Sequence, residues 1–192
     1  MNHIDIRLKD SDQQRLCSFI GKTLESVDHD EFSFTNTSSQ AVRFIVNGER
    51  MYLYSFTEPL DYFGSIEDVA VWSVEQTEYP MVSNKSFITM PVQQTVVGIS
   101  LIQENQKLYQ HNNQTYDVWV TRGIIFDFGD HQISFEKPVW FSEDIIIRKG
   151  YDLEKLFAPV EGITNAENWD DDIRMDCERT TVYLSESLLQ AR

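Results

Sequence analysis

Short runs in which hydrophobic and polar residues alternate recur along most of the chain and predict a mainly β protein. Two hairpins are predicted most clearly. The first spans residues 42–56 around Asn47-Gly48, a pair that supplies the positive φ angles of a type I′ turn. The second spans residues 123–137 and turns at Gly129.

Near the N-terminus, apolar residues spaced three and four positions apart predict one short helix, in the stretch SDQQRLCSFIG. Ser11 is the expected N-cap, because Gln14 follows it at the spacing of a capping box. Three apolar side chains then fall on one face: Leu16, Phe19 and Ile20. Gly21 is expected to end the helix, since glycine readily adopts the left-handed conformation that closes one.

Two parts of the chain carry the same features in the same order, which predicts an internal duplication. Each part has a hairpin glycine, then a proline, an aromatic pair, an acidic pair and a closing strand. The offset between the glycines, Gly48 and Gly129, is nearly that between the prolines, Pro59 and Pro138. Two such units can cover the sheet faces that one unit alone would leave exposed.

The predicted fold is one domain over residues 1–192, of mainly β (α+β) class. Two pseudo-repeated antiparallel β units, approximately residues 20–76 and 97–157, are expected to pack as a sandwich or a barrel. A short N-terminal helix and a C-terminal strand complete this expected architecture.

Two further segments lie outside the repeated units. Residues 77–96 connect the units and are polar, so they form either a linker or, because Phe87 and Ile88 interrupt the polar run, a short strand. Residues 158–192 form a C-terminal extension, and alternation over residues 173–184 predicts a final strand that pairs with one of the two sheets.

Charge is the extreme property of the composition. The chain has 16 basic and 31 acidic residues, a formal net charge of −15. Such a field repels phosphate backbones, so a nucleic-acid partner is not expected. The charge serves either solubility or the binding of a basic partner protein.

With no apolar run of membrane length and no secretory leader, a cytoplasmic location is expected, with Cys17 and Cys177 as reduced thiols.

No motif predicts a catalytic, cofactor or metal site. FIGKT lacks the glycine that a phosphate-binding loop needs before its Gly-Lys pair. DHDE at residues 28–31 is expected to be a solvated turn, since consecutive side chains cannot all converge on a metal. The acidic pairs of the repeat, Glu67-Asp68 and Glu143-Asp144, are expected at strand entries rather than at a pair of catalytic carboxylates.

One acidic segment near the C-terminus is the candidate partner-binding site. It consists of Trp169, Asp170, Asp171, Asp172, Asp176 and Glu178. An aromatic residue inside an acidic rim is the composition that a basic protein partner would select. The alternative is a solvated loop whose tryptophan anchors it to the core.

These features favour a non-enzymatic cytosolic module that binds a basic protein, of which an immunity-type inhibitor of a toxin or nuclease is one form. The alternative is a small-ligand binding domain with a pocket between the two halves. Its expected lining is aromatic: Tyr52, Tyr54, Trp72 and Trp140. An enzyme ranks third, and the sequence leaves the oligomeric state open.

Overall fold

The computed structural model describes residues 1–31, 36–62, 64–83, 86–160 and 173–185, and these are mainly β-strands. The strands are β1 (Asn2–Ile6), β2 (Thr23–His29), β3 (Thr37–Ser39), β4 (Ala41–Val46), β5 (Glu49–Tyr62), β6 (Ser65–Glu75), β7 (Ile88–Thr95), β8 (Gly98–Gln110), β9 (Asn113–Asp127), β10 (Gln132–Glu136), β11 (Asp144–Gly150) and β12 (Ile173–Leu184). The helices are α1 (Asp10–Cys17), α2 (Pro80–Ser83) and a 3₁₀ helix (Leu153–Leu156).

The strands form two sheets that pack face to face as a sandwich. Sheet A has the order β12-β8-β9-β10-β11-β3, and β1 joins it by pairing in parallel with β9. Sheet B has the order β6-β5-β4-β2-β7, with antiparallel neighbours throughout. The predicted class is therefore confirmed: a mainly β fold of two antiparallel sheets, with a helix near the N-terminus and a strand near the C-terminus.

Each sheet contains a run of four neighbouring antiparallel strands, although in sheet B the chain leaves the run between β2 and β4 to form β3 in sheet A. In sheet B its strands are β2, β4, β5 and β6, and in sheet A they are β8, β9, β10 and β11. Both predicted hairpins are present, with φ of 48° at Asn47 and 79° at Gly48 in the first and 88° at Gly129 in the second. The common strand order accords with a duplicated unit, and the duplication itself stays a prediction.

Helix α1 begins differently from the prediction. It starts at Asp10, so Ser11 lies within it and is not the N-cap. Asp12 supplies the local hydrogen bonds instead: its carboxylate accepts the backbone N–H of Lys9 at 3.2 Å and that of Val74 in β6 at 3.0 Å. Asp12 thus accepts hydrogen bonds both from the start of the helix and from a distant strand. The sequence has no local pattern from which the bond to the distant strand could be predicted.

The connecting segment belongs to sheet B. Strand β7 pairs with β2 at the sheet edge, so the strand alternative is right and the linker alternative is wrong. The residues before β7 cover aromatic rings on the face of β5 that points away from sheet A. Tyr54 donates its hydroxyl to the carbonyl of Thr77 at 2.9 Å, and the rings of Tyr52 and Tyr54 stack with centroids 5.4 Å apart.

Phenylalanine rings from both sheets form the centre of the sandwich. Phe44 of β4 meets Phe126 of β9 at 5.3 Å and Phe135 of β10 at 5.2 Å between centroids. Phe19, just after α1, closes the group with edge-on contacts at 6.0 Å to both Phe44 and Phe126. Such contacts give the two sheets a fixed relative position, because aromatic rings bury large areas and prefer tilted geometries.

Gly123 has a steric role in β9. A Cβ atom at this position would lie 2.1 Å from the ring of Phe157 and 2.9 Å from the carbonyl oxygen of Phe135. The ring of Phe157 therefore packs directly on the strand backbone, in space that any side chain would occupy.

We expect Gly123→Ala to lower the free energy of unfolding by about 1–3 kcal/mol, the usual effect of overpacking a filled site. Gly98→Ala is the matched control in β8, since its Cβ would meet nothing closer than Asp127 at 3.9 Å. Urea denaturation of both variants checks this expectation. Equal effects of the two substitutions would contradict the packing of Phe157 on Gly123.

Lys137 is a fully buried cation between the sheets, with 0% of its surface exposed. Its ammonium donates to the carbonyl of Ala70 in β6 and lies 5.2 Å from the centroid of the Trp72 ring. Burial, with a smaller contribution from the positive charge of Arg122, lowers the pKa of Lys137 from 10.5 to about 7.

This lowered pKa predicts a pH-dependent stability. Between about pH 7 and 10 the unfolded chain binds a proton at Lys137 that the folded protein has lost, so the free energy of unfolding rises with pH in that window. Lys137→Met should be more stable near pH 7 and should show a smaller rise. Urea denaturation of both proteins across the window measures the difference, and parallel curves would contradict the prediction.

Candidate functional site

The half of sheet A formed by β1, β9, β8 and β12 has one buried face and one mostly exposed face. The buried face carries apolar residues such as Ile4, Leu108, Val118 and Met175, which pack with Trp140. The opposite face, here called the polar face, carries His3, Asp5, Arg7, Asn105, Lys107, Tyr109, Asp117, Trp119, Arg174, Asp176 and Glu178. This separation follows from strand alternation, which sends successive side chains to opposite faces.

Asp117 lies at the centre of the polar face and is held by three neighbouring side chains. Its carboxylate accepts the amide of Asn105 at 2.7 Å and the indole N–H of Trp119 at 3.3 Å, and Nδ1 of His3 lies 3.0 Å away. These hydrogen bonds, that from Asn105 foremost, lower the pKa of Asp117. The centre of the face therefore presents a fixed negative charge at neutral pH.

Two arginines lie over the aromatic rings of this face. Arg7 sits 4.7 Å above the centroid of Trp119, and Arg174 sits 4.3 Å above that of Tyr109. Arg7 also donates to Asp5 through Nε at 2.8 Å and Nη2 at 2.5 Å, and these bonds lower the pKa of the Asp5 carboxyl. The rings and cations thus hold one another in place within the folded chain.

The structure describes only part of the predicted partner-binding site. Trp169 and residues 170–172 lie outside the described residues. Asp176 and Glu178 lie on the polar face, and 80% of the Glu178 side chain is exposed. Each acid has a nearby cation: Asp176 is 3.1 Å from Arg174, and Glu178 is 3.9 Å from Lys107.

Sequence reasoning missed the aromatic part of this face. Trp119 and Tyr109 were not among the predicted site residues, although the alternation in YDVWV around Trp119 was available as a signal. The register placed them beside the acidic residues: Tyr109 is opposite Arg174, and Asn105 is opposite both Trp119 and Glu178. Such cross-strand neighbours are far apart in sequence.

The reverse face of sheet A holds a row of buried and partly buried charges, here called the charge ladder. Its members alternate in sign across five adjacent strands: Arg179 (β12), Glu104 (β8), Arg122 (β9), Glu136 (β10) and Arg148 (β11). Arg179 bonds Glu104 through Nε at 3.0 Å and Nη2 at 2.5 Å. Arg122 lies 3.9 Å from Glu104 and 3.4 Å from Glu136, which also pairs with Arg148.

The charge ladder also holds the backbone that follows the 3₁₀ helix. Glu136 accepts the N–H of Ala158 at 3.2 Å, and Arg179 donates to the carbonyl of Ala158 at 2.6 Å. Since Arg179 projects from the opposite side of β12 to Asp176 and Glu178, the ladder anchors the strand that carries both predicted acids.

The two cysteines are free thiols, as expected from their number. Cys17 is buried and lies 3.7 Å from the carbonyl oxygen of Ser185. Cys177 is partly buried beside the charge ladder. Burial, reinforced by the negative charge of Glu104, raises the pKa of Cys177 to about 12, so this thiol is a poor nucleophile at neutral pH.

The DHDE segment is not the solvated turn that was predicted. Asp28 and His29 are buried in β2. Asp28 pairs with Arg43 of the neighbouring strand at 2.7 Å, and Asp30 accepts the hydroxyl of Ser38 at 2.6 Å. Within the ranges that the structure describes, no group of three or more potential metal ligands converges, here or elsewhere.

The acidic pairs of the repeat differ from each other. Glu67 and Asp68 lie inside β6, on an exposed part of the strand, so the strand-entry position predicted for them is wrong. Asp144 is the first residue of β11, as predicted, and Glu143 accepts the amide of Gln40 at 3.1 Å.

The predicted aromatic pocket is not formed by its four rings. Tyr52 and Tyr54 lie in one buried cluster, Trp72 in the core between the sheets and Trp140 in a third cluster. A groove of about 500 Å³ does lie between the sheets, with a different lining. Its walls include residues 5–10, Gln13, Glu58, Val71, Gln103 and Val182.

Comparison of the chain with protein-family models, curated proteins and solved structures finds no match in any of the three. In the described parts of the chain, the helices lack either the length or the apolar character that crossing a bilayer requires. The class that the fold itself defines is a two-sheet β-sandwich.

Because Glu104 is 0% exposed and compensates two arginines, Glu104→Gln should lower the free energy of unfolding by about 3–5 kcal/mol, the usual effect of breaking a buried ion pair. Glu178→Gln is the matched control on the exposed side and should change stability by less than about 0.5 kcal/mol. Urea denaturation measures both values. A Glu104→Gln protein as stable as the control would contradict a structural role for the charge ladder.

Proposed function

We propose that this chain is a non-enzymatic protein-binding module and that the polar face binds a basic partner protein. The observation that carries the proposal is the composition of that face: two aromatic rings, each beneath an arginine, surrounded by carboxylates. Most of the side chains of that face are exposed or partly exposed to solvent.

The aromatic residues supply the non-polar part of the proposed interface. Tryptophan, tyrosine and arginine are the residue types that contribute most to binding energy in protein interfaces. Trp119 and Tyr109 are each held in place by an arginine, and Trp119 also donates to Asp117. Little side-chain entropy is then lost when a partner binds, which favours affinity.

The carboxylates supply selectivity for a basic partner. Asp5, Asp117, Asp176 and Glu178 share the face, and residues 170–172, three aspartates, directly precede β12 in the sequence. With a formal net charge of −15, the protein attracts a basic surface and accelerates its approach. An immunity-type inhibitor of a basic toxin or nuclease is the narrower form of this proposal. We place the activity in the cytoplasm, where free thiols such as Cys17 and Cys177 persist.

The test uses two double variants that remove equal charge. Asp176→Asn with Glu178→Gln alters the polar face, whereas Glu67→Gln with Asp68→Asn alters an exposed part of β6 in sheet B. Tagged proteins capture partners from the native lysate with elution in salt steps, and the retained partner is then purified. Its Kd for each protein is measured by titration calorimetry.

We expect the wild type and the β6 variant to bind one basic partner, with an affinity that falls as salt rises. The polar-face variant should bind it at least about tenfold more weakly, a loss of about 1.4 kcal/mol. Equal binding by all three proteins would exclude the polar face. A partner with no positive surface, or binding that does not change with salt, would contradict the electrostatic part.

A further inference from the structure

The groove between the sheets has the size and position of a small-ligand site. Its volume of about 500 Å³ lies within the range of about 300–1,000 Å³ that is usual for such sites. Sheet A contributes Gln103 and Val182, sheet B contributes Glu58 and Val71, and the chain from β1 into α1 forms the third wall. Both sheets are therefore needed to build it.

Gln103 is the buried polar group of this lining, with 7% of its surface exposed. Its amide oxygen accepts the hydroxyl of Thr121 at 3.1 Å, and that hydroxyl oxygen accepts the N–H of Leu8 at 2.9 Å. The oxygen end of the amide is thus committed to the protein. Its nitrogen donates to no acceptor among the described residues and is not fully shielded from solvent, so an acceptor atom of a ligand in the groove can reach it.

Two side chains of opposite charge that line the groove, Lys9 and Glu58, have no ionic partner among the described residues. Asp5 and Arg7 pair with each other, whereas neither Lys9 nor Glu58 forms an ion pair within the described ranges. The groove therefore offers two donors, the Lys9 ammonium and the Gln103 amide, and one acceptor, the Glu58 carboxylate. A ligand with one negative and one positive charge would use all three groups.

We infer that the groove binds a small zwitterion of the α-amino-acid class. The carboxylate of the ligand accepts from Gln103 and Lys9, and its ammonium donates to Glu58. An apolar ligand side chain lies on Val71 and Val182, the aliphatic residues of the two facing sheets. This site is separate from the proposed protein-binding function, although Asp5 and Arg7 border both surfaces.

The probe is L-leucine, followed by the other proteinogenic L-amino acids, in a thermal-shift titration of the full chain checked by calorimetry. Two analogues that each lack one charge, 4-methylpentanoate and 3-methylbutylamine, test the zwitterion requirement. At least one amino acid should raise Tm with increasing concentration. The analogues of that amino acid that lack its ammonium or its carboxylate (for leucine, the two named above) should bind at least about tenfold more weakly, because each loses a charge-assisted hydrogen bond.

Lys9→Met and Glu58→Gln are exposed changes that the fold should tolerate, and each should weaken amino-acid binding about tenfold. Glu67→Gln is the matched control outside the groove and should bind as the wild type does. Gln103→Glu, which replaces the free donor by an oxygen, should abolish binding.

The proposal is overturned if no amino acid binds, if the singly charged analogues bind equally well, or if Lys9→Met and Glu58→Gln bind as the control does. Loss of partner binding in the polar-face variant, with amino-acid binding intact, distinguishes this site from the proposed function.

Discussion

Glu104 places a carboxylate in the interior of the protein, where a charge must be compensated by neighbouring groups, and the arrangement of sheet A depends on that compensation. Arg179 and Arg122 reach it from the strands on either side, and Arg122 then shares Glu136 with Arg148. Five strands are joined by one row of alternating charges. A one-residue slip of any of them would turn its charge to the opposite face, so the row also specifies strand register.

This row of charges determines what the opposite side of the sheet presents. Arg179 binds β12 to β8 on the buried side, and Asp176 and Glu178 of β12 consequently point to the exposed side beside Lys107 and Tyr109. The same arginine, together with Glu136, fixes the backbone of Ala158 over the buried face. In this half of the sheet, one face is therefore covered by the protein itself while the polar face remains mostly exposed.

Local signals in the sequence were sufficient for the two hairpins and insufficient for the charges. The hairpin at Asn47-Gly48 was predictable because its turn chemistry lies within two residues. The charge ladder was not, because Glu104 and Arg179 become neighbours only through the pairing of β8 with β12. The same cause explains the error at Asp28, whose partner Arg43 lies on another strand, so an apparently solvated acidic segment is buried. The aromatic part of the polar face depended equally on register.

Hydroxyl-radical footprinting of the protein, free and in complex with the partner it captures, tests the central claim that the polar face is the binding surface. In the free protein, Tyr109 and Trp119 should react, whereas Met175, which is 4% exposed on the reverse side of β12, should be protected. In the complex, Tyr109 and Trp119 should lose reactivity, and Tyr183, 75% exposed on the reverse side of β12, should keep it. Protection of Tyr183 with Tyr109 and Trp119 unchanged would contradict the account.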